Sequence, residues 1–454
     1  MPGRARSNPD LLVVVLAAGE GRRMRSRRAK VMHELAGQPL LAYPIALARQ
    51  LGAGTIAVVT PRGPESDLKR IAAGCRLVVQ PEPRGTGDAL ARVPAGLRSH
   101  AEVLVLYGDV PLITLKTARL LLQARRRARL DCVLLAARID QPGGYGRVLM
   151  DGAPRVVEEA DARPAELDQN LINTGVCCFR SEALWPALRG LKPSPKTGEL
   201  YLTELFAAMP RRGVVQCAAE EALGVNDRWQ LAEAEAVVRA RINRAWSLAG
   251  VTIVDPATTY IDAAVRLAGD TRIEPFTFLR GTTAVGRDCS IGPFAELSDC
   301  RIGAGCTIGR SHLVECTVQD GAVIGPFNRI RAGSAIGSRA RIGSFAEIKS
   351  TRIGADTDVH HFSYLGDAAL GRGVNIGAGT VTANYDGRAK HPTVIGAGAF
   401  VGTDSTLVAP VRVGVGAYTA AGSVITRDVP GGALAIERTD QRLVPGWSKR
   451  RRRR

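Results

Sequence analysis

The sequence has no run of about eighteen apolar residues, the least that a membrane-spanning helix requires, although 45% of its residues are hydrophobic. A soluble protein is therefore expected. Its nine cysteines are odd in number and scattered, and no two form a C-x-x-C pair. That excludes a disulfide framework and a zinc knuckle, and predicts reduced thiols in a cytoplasmic protein with no structural metal. The apolar run from Leu11 to Ala18 follows Arg4 and Arg6, as the core of a signal peptide would, but no small-residue cleavage site follows it. It ends instead in Gly19-Glu20-Gly21 and a cluster of arginines, which fits a buried strand entering a phosphate-binding turn.

What is abundant is positive charge. Lysine and arginine exceed aspartate and glutamate by 61 to 43, a formal net charge of +18. Such a charge attracts anions of every kind and does not by itself identify one. The segment Lys449 to Arg454 reads as a solvated basic tail without a specific nucleic-acid role. Arg22, Arg23, Arg25, Arg27 and Arg28 differ from the tail because they adjoin the glycine-rich turn.

A length of 454 residues exceeds what one core usually organises, so two or three domains are expected. From residue 11 to about 228, short apolar stretches (Leu12 to Leu16, Thr55 to Val59, Val103 to Leu106) alternate with helical ones, the pattern of an α/β domain with a mainly parallel sheet. The predicted front domain is 1–228. Residues 229–249 contain no proline and place Leu231, Val238, Ile242 and Ala245 at helical spacing before Gly250, so they read as a connecting helix. From 250 to 454 an aliphatic-glycine pair recurs at six residues or near multiples of six. Examples are Val285-Gly286, Ile291-Gly292, Ile302-Gly303, Ile308-Gly309, Ile336-Gly337, Ile342-Gly343 and Ile376-Gly377. A hexapeptide period predicts a parallel β-helix with aliphatic side chains inward and small residues at the corners. At about 18 residues per coil, the stretch 251–436 holds at most about ten coils. The period breaks at Thr382 to Pro392, which must project as a loop.

In the front domain, Leu16-Ala17-Ala18-Gly19-Glu20-Gly21-Arg22-Arg23-Met24 puts a glycine-rich turn after a strand, with Lys30 downstream. Backbone amides in such a turn can approach phosphates. The third glycine of a dinucleotide fingerprint is missing, and so is the G-K-[ST] ending of a P-loop. The string resembles instead the signature of sugar-1-phosphate nucleotidyltransferases. Further along stand Gln80, Gly85-Thr86-Gly87, Tyr107-Gly108-Asp109-Val110-Pro111-Leu112, Gly144-Tyr145-Gly146-Arg147, Glu158, Asn173-Thr174-Gly175 and Gly224-Val225-Asn226. With these, residues 11 to 447 resemble the family of bacterial bifunctional enzymes that acetylate glucosamine-1-phosphate and then uridylylate the product to UDP-N-acetylglucosamine.

The resemblance implies a Rossmann-like front domain that uses Mg²⁺ and UTP. It implies Asp109 and Asn226 as metal ligands, and Arg23 and Lys30 as catalytic cations on the phosphates. Leu16, Ala17, Ala18, Gly19, Lys30, Gln80, Gly85, Thr86, Tyr107, Gly108 and Asp109 would contact the nucleotide, with Gln80, Gly85 and Thr86 reading the uracil. Gly146, Glu158, Asn173 and Asn226 would contact the sugar. The sequence departs from the family at Arg22, where threonine is usual, at Ala29, where proline is, at Asp88, where histidine is common, and at Ala160, where lysine often stands.

The rear motifs His361-Phe362-Ser363-Tyr364-Leu365-Gly366-Asp367, Asn375-Ile376-Gly377-Ala378-Gly379 and Asn384-Tyr385-Asp386-Gly387 resemble the acetyltransferase half of the same enzymes. Only a neutral amine attacks a thioester, so a base must take the ammonium proton, and histidine titrates in the working range. His361 is the expected base, while His360 reads as a surface residue. The resemblance implies Arg331 and Lys349 on the sugar phosphate, Tyr364, Asn375 and Asn384 on the sugar, and Ala378, Asn384, Tyr385, Thr403, Ala421 and Arg438 around acetyl-CoA. It also implies a left-handed β-helix that forms a homotrimer.

Two other readings compete. A single-activity sugar-1-phosphate nucleotidyltransferase would carry the β-helix only as a regulatory cap, but a cap has no use for His361, Lys349, Tyr364 and the Asn384-Tyr385 loop together. A non-catalytic scaffold would have no use for Asp109, Asn226, Arg23 and Lys30.

Overall fold

The computed structural model describes residues 7–19, 21–63, 66–194 and 196–448. The basic tail from Lys449 onward, Arg4, Arg6 and Glu20 lie outside them. The chain divides into two compact units, Met1–Val238 and Arg239–Arg454.

Seven strands form the main path of the first unit's nine-stranded sheet: β1 (Asn8–Leu16), β2 (Ala53–Thr60), β3 (Arg76–Val79), β4 (Glu102–Tyr107), β5 (Cys132–Arg138), β6 (Leu171–Arg180) and β7 (Arg212–Cys217). Their order across the sheet is β7-β5-β6-β4-β1-β2-β3. All neighbours run parallel except β6, which lies antiparallel between β4 and β5. Central β1 shows why its sequence is apolar without alternation. Leu11, Val13 and Val15 enter one core and Leu12, Val14 and Leu16 the other, so both faces of the sheet are covered. Leu16 pairs with Tyr107 and with Val59, which brings the carboxyl ends of β1, β4 and β2 to one edge. At that edge an open α/β sheet leaves its crevice.

The helix expected at 229–249 spans Arg228–Leu248, with Gly250 in the left-handed conformation (φ 93°) two residues beyond. The division between the units falls inside it.

The second unit is a left-handed, three-sided parallel β-helix. Its faces are sheets of 11, 10 and 9 short strands, which agrees with about ten coils. Aliphatic residues stack in register from coil to coil, as in Ile273, Ile291, Ile308, Ile324 and Ile342, all essentially buried. The glycine that follows is a steric requirement. A Cβ on Gly286 would lie 2.6 Å from the backbone of Gly303 in the next coil. Corners are not all small, contrary to the sequence expectation. Phe276, Phe294, Phe327, Phe345 and Phe362 occupy left-handed corner positions with φ of 57°, 55°, 66°, 64° and 56°. Phe276 stacks on Phe294 at 4.9 Å, and Phe345 stacks on Phe327 at 5.0 Å and on Phe362 at 5.1 Å. Coil-to-coil stacking offsets the backbone cost of these conformations.

The break in the hexapeptide period is a loop between strands Val381–Ala383 and Thr393–Ile395. It is pinned by a bridge between Tyr385 and Lys390 and by Asp386. The Asp386 carboxylate accepts from the N–H groups of Ala389 (2.7 Å) and Arg388 (2.8 Å) and meets His391 Nε2 at 2.7 Å.

Candidate active sites

At the carboxyl edge of β1 and β4 lies a cavity of about 480 Å³. Leu16, Ala17, Ala18, Gly19, Lys30, Gln80, Gly85, Thr86, Tyr107 and Asp109 line it, ten of the eleven residues expected to contact a nucleotide. The eleventh, Gly108, packs beneath the turn, where a Cβ would come within 2.9 Å of Val31 and 3.3 Å of Ala17. Arg22 also lines the cavity, whereas Arg23 is exposed outside the lining.

The glycine-rich turn is held over Lys30. Gly21 has φ 62°, and a Cβ there would lie 2.6 Å from Lys30 Cβ, so this position requires glycine on two counts. Beneath the turn the Lys30 ammonium forms an ion pair with the Asp109 carboxylate and lies 3.3 Å from Asn226 Oδ1. Asp109 and Asn226 are far apart in sequence, but the Val225 N–H donates to the Asp109 carbonyl at 2.8 Å, and the Asn226 N–H to Gln230 Oε1 at 2.8 Å. No group of three His, Cys, Asp or Glu side chains that could hold a metal occurs among the described residues.

The expected sugar contacts also come together. The Asn173 N–H donates to the Gly146 carbonyl at 2.8 Å, and a Cβ on Gly146 would lie 3.2 Å from Glu158 Oε2. Burial pushes the Glu158 carboxyl above its ordinary value, while Thr203 Oγ1, which donates to it at 2.8 Å, draws it back. Burial likewise pushes the Tyr107 phenol well up, and the Tyr107 ring packs so closely on Gly175 that a Cβ would come within 2.7 Å of it.

In the β-helix, Tyr364 and Asn384 meet over Gly366. A Cβ on Gly366 would lie 2.5 Å from Tyr364 Oη and 2.6 Å from Asn384 Nδ2. Asp367 organises the cluster, because its Oδ2 accepts from Asn384 Nδ2 at 2.5 Å and lies 3.5 Å from Lys349 Nζ. Arg331 pairs with Glu347 at 3.0 Å. Lys390, from the projecting loop, crowds Lys349, and that contact holds the Lys390 ammonium below its ordinary value. Cations crowded in this way suit an anionic ligand. His361 is exposed, and its Nδ1 lies 3.5 Å from where a Cβ on Gly343 would stand. Asn375 pairs in register with Asp358 and Phe400.

The expected acetyl-CoA contacts follow one edge of the last coils. The Ala378 carbonyl accepts from the Asp404 N–H at 2.7 Å, and the Thr403 carbonyl from the Gly422 N–H at 2.8 Å. Arg438 Nη1 donates to the Ala421 carbonyl at 3.0 Å. Sequence reasoning missed Thr203, Asp367 as an organiser, Lys390 and the hydrogen-bonding role of Asp88. Asp367 stood inside a quoted motif, but nothing in the spacing of Thr203 or Lys390 marks them.

A glycine turn over a lysine-carboxylate pair at the crevice of a parallel sheet, in one chain with a β-helix carrying its own polar cluster, defines a two-site transferase. A family of MobA-like NTP transferase domains matches residues 13–199. Three relatives, each described as bifunctional protein GlmU, match nearly end to end. That of Synechococcus elongatus is 42% identical over 449 residues, covering 96% of this chain and 98% of its own. That of Brevibacillus brevis is 43% identical over 437 residues, covering 94% and 95%. That of Geotalea uraniireducens is 41% identical over 456 residues, covering 98% and 100%. The chain belongs to the GlmU family of bifunctional proteins. It is an enzyme with uridylyltransferase and acetyltransferase activities, which together make UDP-N-acetylglucosamine in two steps. No helix among the described residues is long and apolar enough to cross a membrane.

Proposed function

We propose that the front cavity is the uridylyl-transfer site and the cluster around Gly366 the acetyl-transfer site, each worked by the residues gathered there. The observation that carries the front assignment is the Lys30 ammonium held between Asp109 and Asn226 on the floor of the cavity. In this reading UTP lies under the turn of Gly19 and Gly21, with Gln80, Gly85 and Thr86 at its uracil. The sugar phosphate enters beside Gly146, Glu158 and Asn173 and attacks the α-phosphorus, releasing pyrophosphate. Bringing two anions together requires cations in fixed positions. Lys30 and Arg22 supply them in the cavity, and Arg23, exposed outside its lining, would have to turn inward to supply another.

Asp109 and Asn226 would hold Mg²⁺. Their two oxygens already converge on one cation, and few protein oxygens with substrate phosphates completing the shell suit this ion. When bound, it neutralises phosphate charge and makes the α-phosphorus more electrophilic.

At the rear site, Arg331 and Lys349, with Lys390 beside them, bind the phosphate of glucosamine-1-phosphate, and Tyr364, Asn375 and Asn384 orient the sugar. His361 takes the ammonium proton, so that the neutral amine attacks the acetyl carbonyl of acetyl-CoA; the carbon–sulfur bond then breaks and coenzyme A leaves as its free thiol. The thioester lies along Ala378, Tyr385, Thr403, Ala421 and Arg438. In this reading the site is completed by a second copy in a homotrimer, as the family resemblance implies. The enzyme works in the cytoplasm, and its domains are 1–228, 229–249 and 250–454.

The test is mass spectrometry of products from purified protein mixed with Mg²⁺, UTP, acetyl-CoA and glucosamine-1-phosphate, omitting one component at a time. UDP-N-acetylglucosamine should form only in the complete mixture. Uridylylation that persists without a divalent ion would overturn the metal assignment, and formation of UDP-glucosamine in place of the acetylated sugar would overturn the rear one.

A further inference from the structure

Asp88, a departure from the family pattern, is buried behind the front cavity and does not line it. Its Oδ2 accepts from Gln80 Nε2 at 2.9 Å, and its Oδ1 accepts from Arg92 Nη2 at 2.6 Å and Nε at 3.2 Å. Gln80 Nε2 also donates to the Gly85 carbonyl at 3.1 Å. A side-chain amide has two N–H donors and one carbonyl oxygen. Both donors of Gln80 are thus committed to the protein. Its Oε1 has no hydrogen-bond partner among the described residues and is not among their enclosed, unsatisfied atoms, so it keeps access to solvent, and Gln80 is a lining residue of the cavity. Turning the amide over would set Oε1 against a carboxylate and a carbonyl in a buried place, two acceptors facing an acceptor.

We propose that Asp88 is a positioning residue that fixes the orientation of the Gln80 amide, so that the cavity offers the nucleobase an acceptor and selects uracil over cytosine. Uracil carries a ring N–H where cytosine carries a bare nitrogen, and only the N–H can donate to Oε1 at that position. A site built to pair with a donor rejects an analogue that lacks it by a larger factor than a shape difference would. The inference rests on the reading of Gln80 as the base contact.

The experiment measures the ratio of kcat/KM for UTP over CTP in pyrophosphate release, for the full chain and three variants. Acetyl transfer and the near-ultraviolet circular dichroism of each variant serve as checks on folding. Asp88→Asn keeps the shape but offers Gln80 an N–H as well as an oxygen, so that only the Gly85 carbonyl still holds the amide in its present orientation. It should lower the ratio at least tenfold, through a raised KM for UTP and improved use of CTP more than through kcat. In a Gln80→Ala background, Asp88→Asn should leave the ratio unaltered. A ratio that falls in Gln80→Ala but not in Asp88→Asn overturns the positioning role and leaves the base contact standing. An Asp88→Asn effect of equal size with and without Gln80 overturns it as well. A ratio indifferent to Gln80→Ala removes the base contact and the proposal together.

Discussion

Lys30 and Asp109 form an ion pair on the floor of the front cavity, and Asn226 Oδ1 lies 3.3 Å from the same ammonium. The lysine side chain is 11% exposed and the carboxylate 21%, so neither charge is dispersed into water. Asp109→Ala removes an anion that both orients Lys30 and is assigned to the metal. Uridylyl transfer should fall by a factor of about 10² or more, the usual cost of losing one preorganised electrostatic contact. Acetyl transfer should persist. His361→Ala should show the converse, losing roughly 10² to 10⁴ in acetyl transfer, the range for a general base. Following pyrophosphate and free thiol separately in both variants checks the two assignments.

Gly366→Ala tests the rear cluster without touching a charge. The added methyl would meet Tyr364 Oη at 2.5 Å and Asn384 Nδ2 at 2.6 Å, so both must move away from the position the sugar is expected to occupy. The KM for glucosamine-1-phosphate in acetyl transfer should rise at least tenfold, with the front half-reaction unaltered. An unchanged KM would place the sugar elsewhere.

Asp131 gives the front unit a signature in acid. The Arg211 guanidinium, and after it Arg180, hold its carboxyl at about 2 against the opposing effect of burial. The folded-state value is depressed. Its contribution to stability is therefore fully present above the ordinary aspartate value of about 4 and is lost as pH falls towards 2. Denaturant unfolding of the original chain and of Asp131→Asn should differ by a constant amount from pH 5 to 7, with the difference shrinking progressively from about pH 4 towards 2.

Ile348 is fully buried in the β-helix, in register with Ile330 and Leu365 of the adjoining coils. Ile348→Ala should cost roughly 2–5 kcal/mol, the transfer loss plus the cavity left between stacked layers. Denaturant midpoints should register it. Acetyl transfer should decline with the fraction folded, because Glu347 and Lys349 are carried on the same strand.

Much of this was legible in the chain because its signals are local or periodic. The hexapeptide period is a repeat of one steric rule, aliphatic inward and glycine where coils touch, so the coil number could be read without any long-range information. The continuous apolar stretch Leu11 to Ala18 announced a strand covered on both faces. The corner phenylalanines were not legible, since their left-handed backbone depends on a ring one coil away. Nor was the antiparallel course of β6, which no alternation of strands and helices reveals.

The sequence by itself determined the class of each unit and the family, and it supplied the residue types proposed to bind phosphate and to move a proton, because those are properties of motifs a few residues long. The tertiary structure decided which groups face one another. Asn226 is brought to Lys30 by the bonds of Val225 to Asp109 and of Asn226 to Gln230, Asp367 joins Lys349 to Asn384 across coils, and Asp88 meets the Gln80 amide. Each of these is a hydrogen bond or ion pair whose geometry is set by packing between segments apart in the chain, and linear spacing carries no record of it.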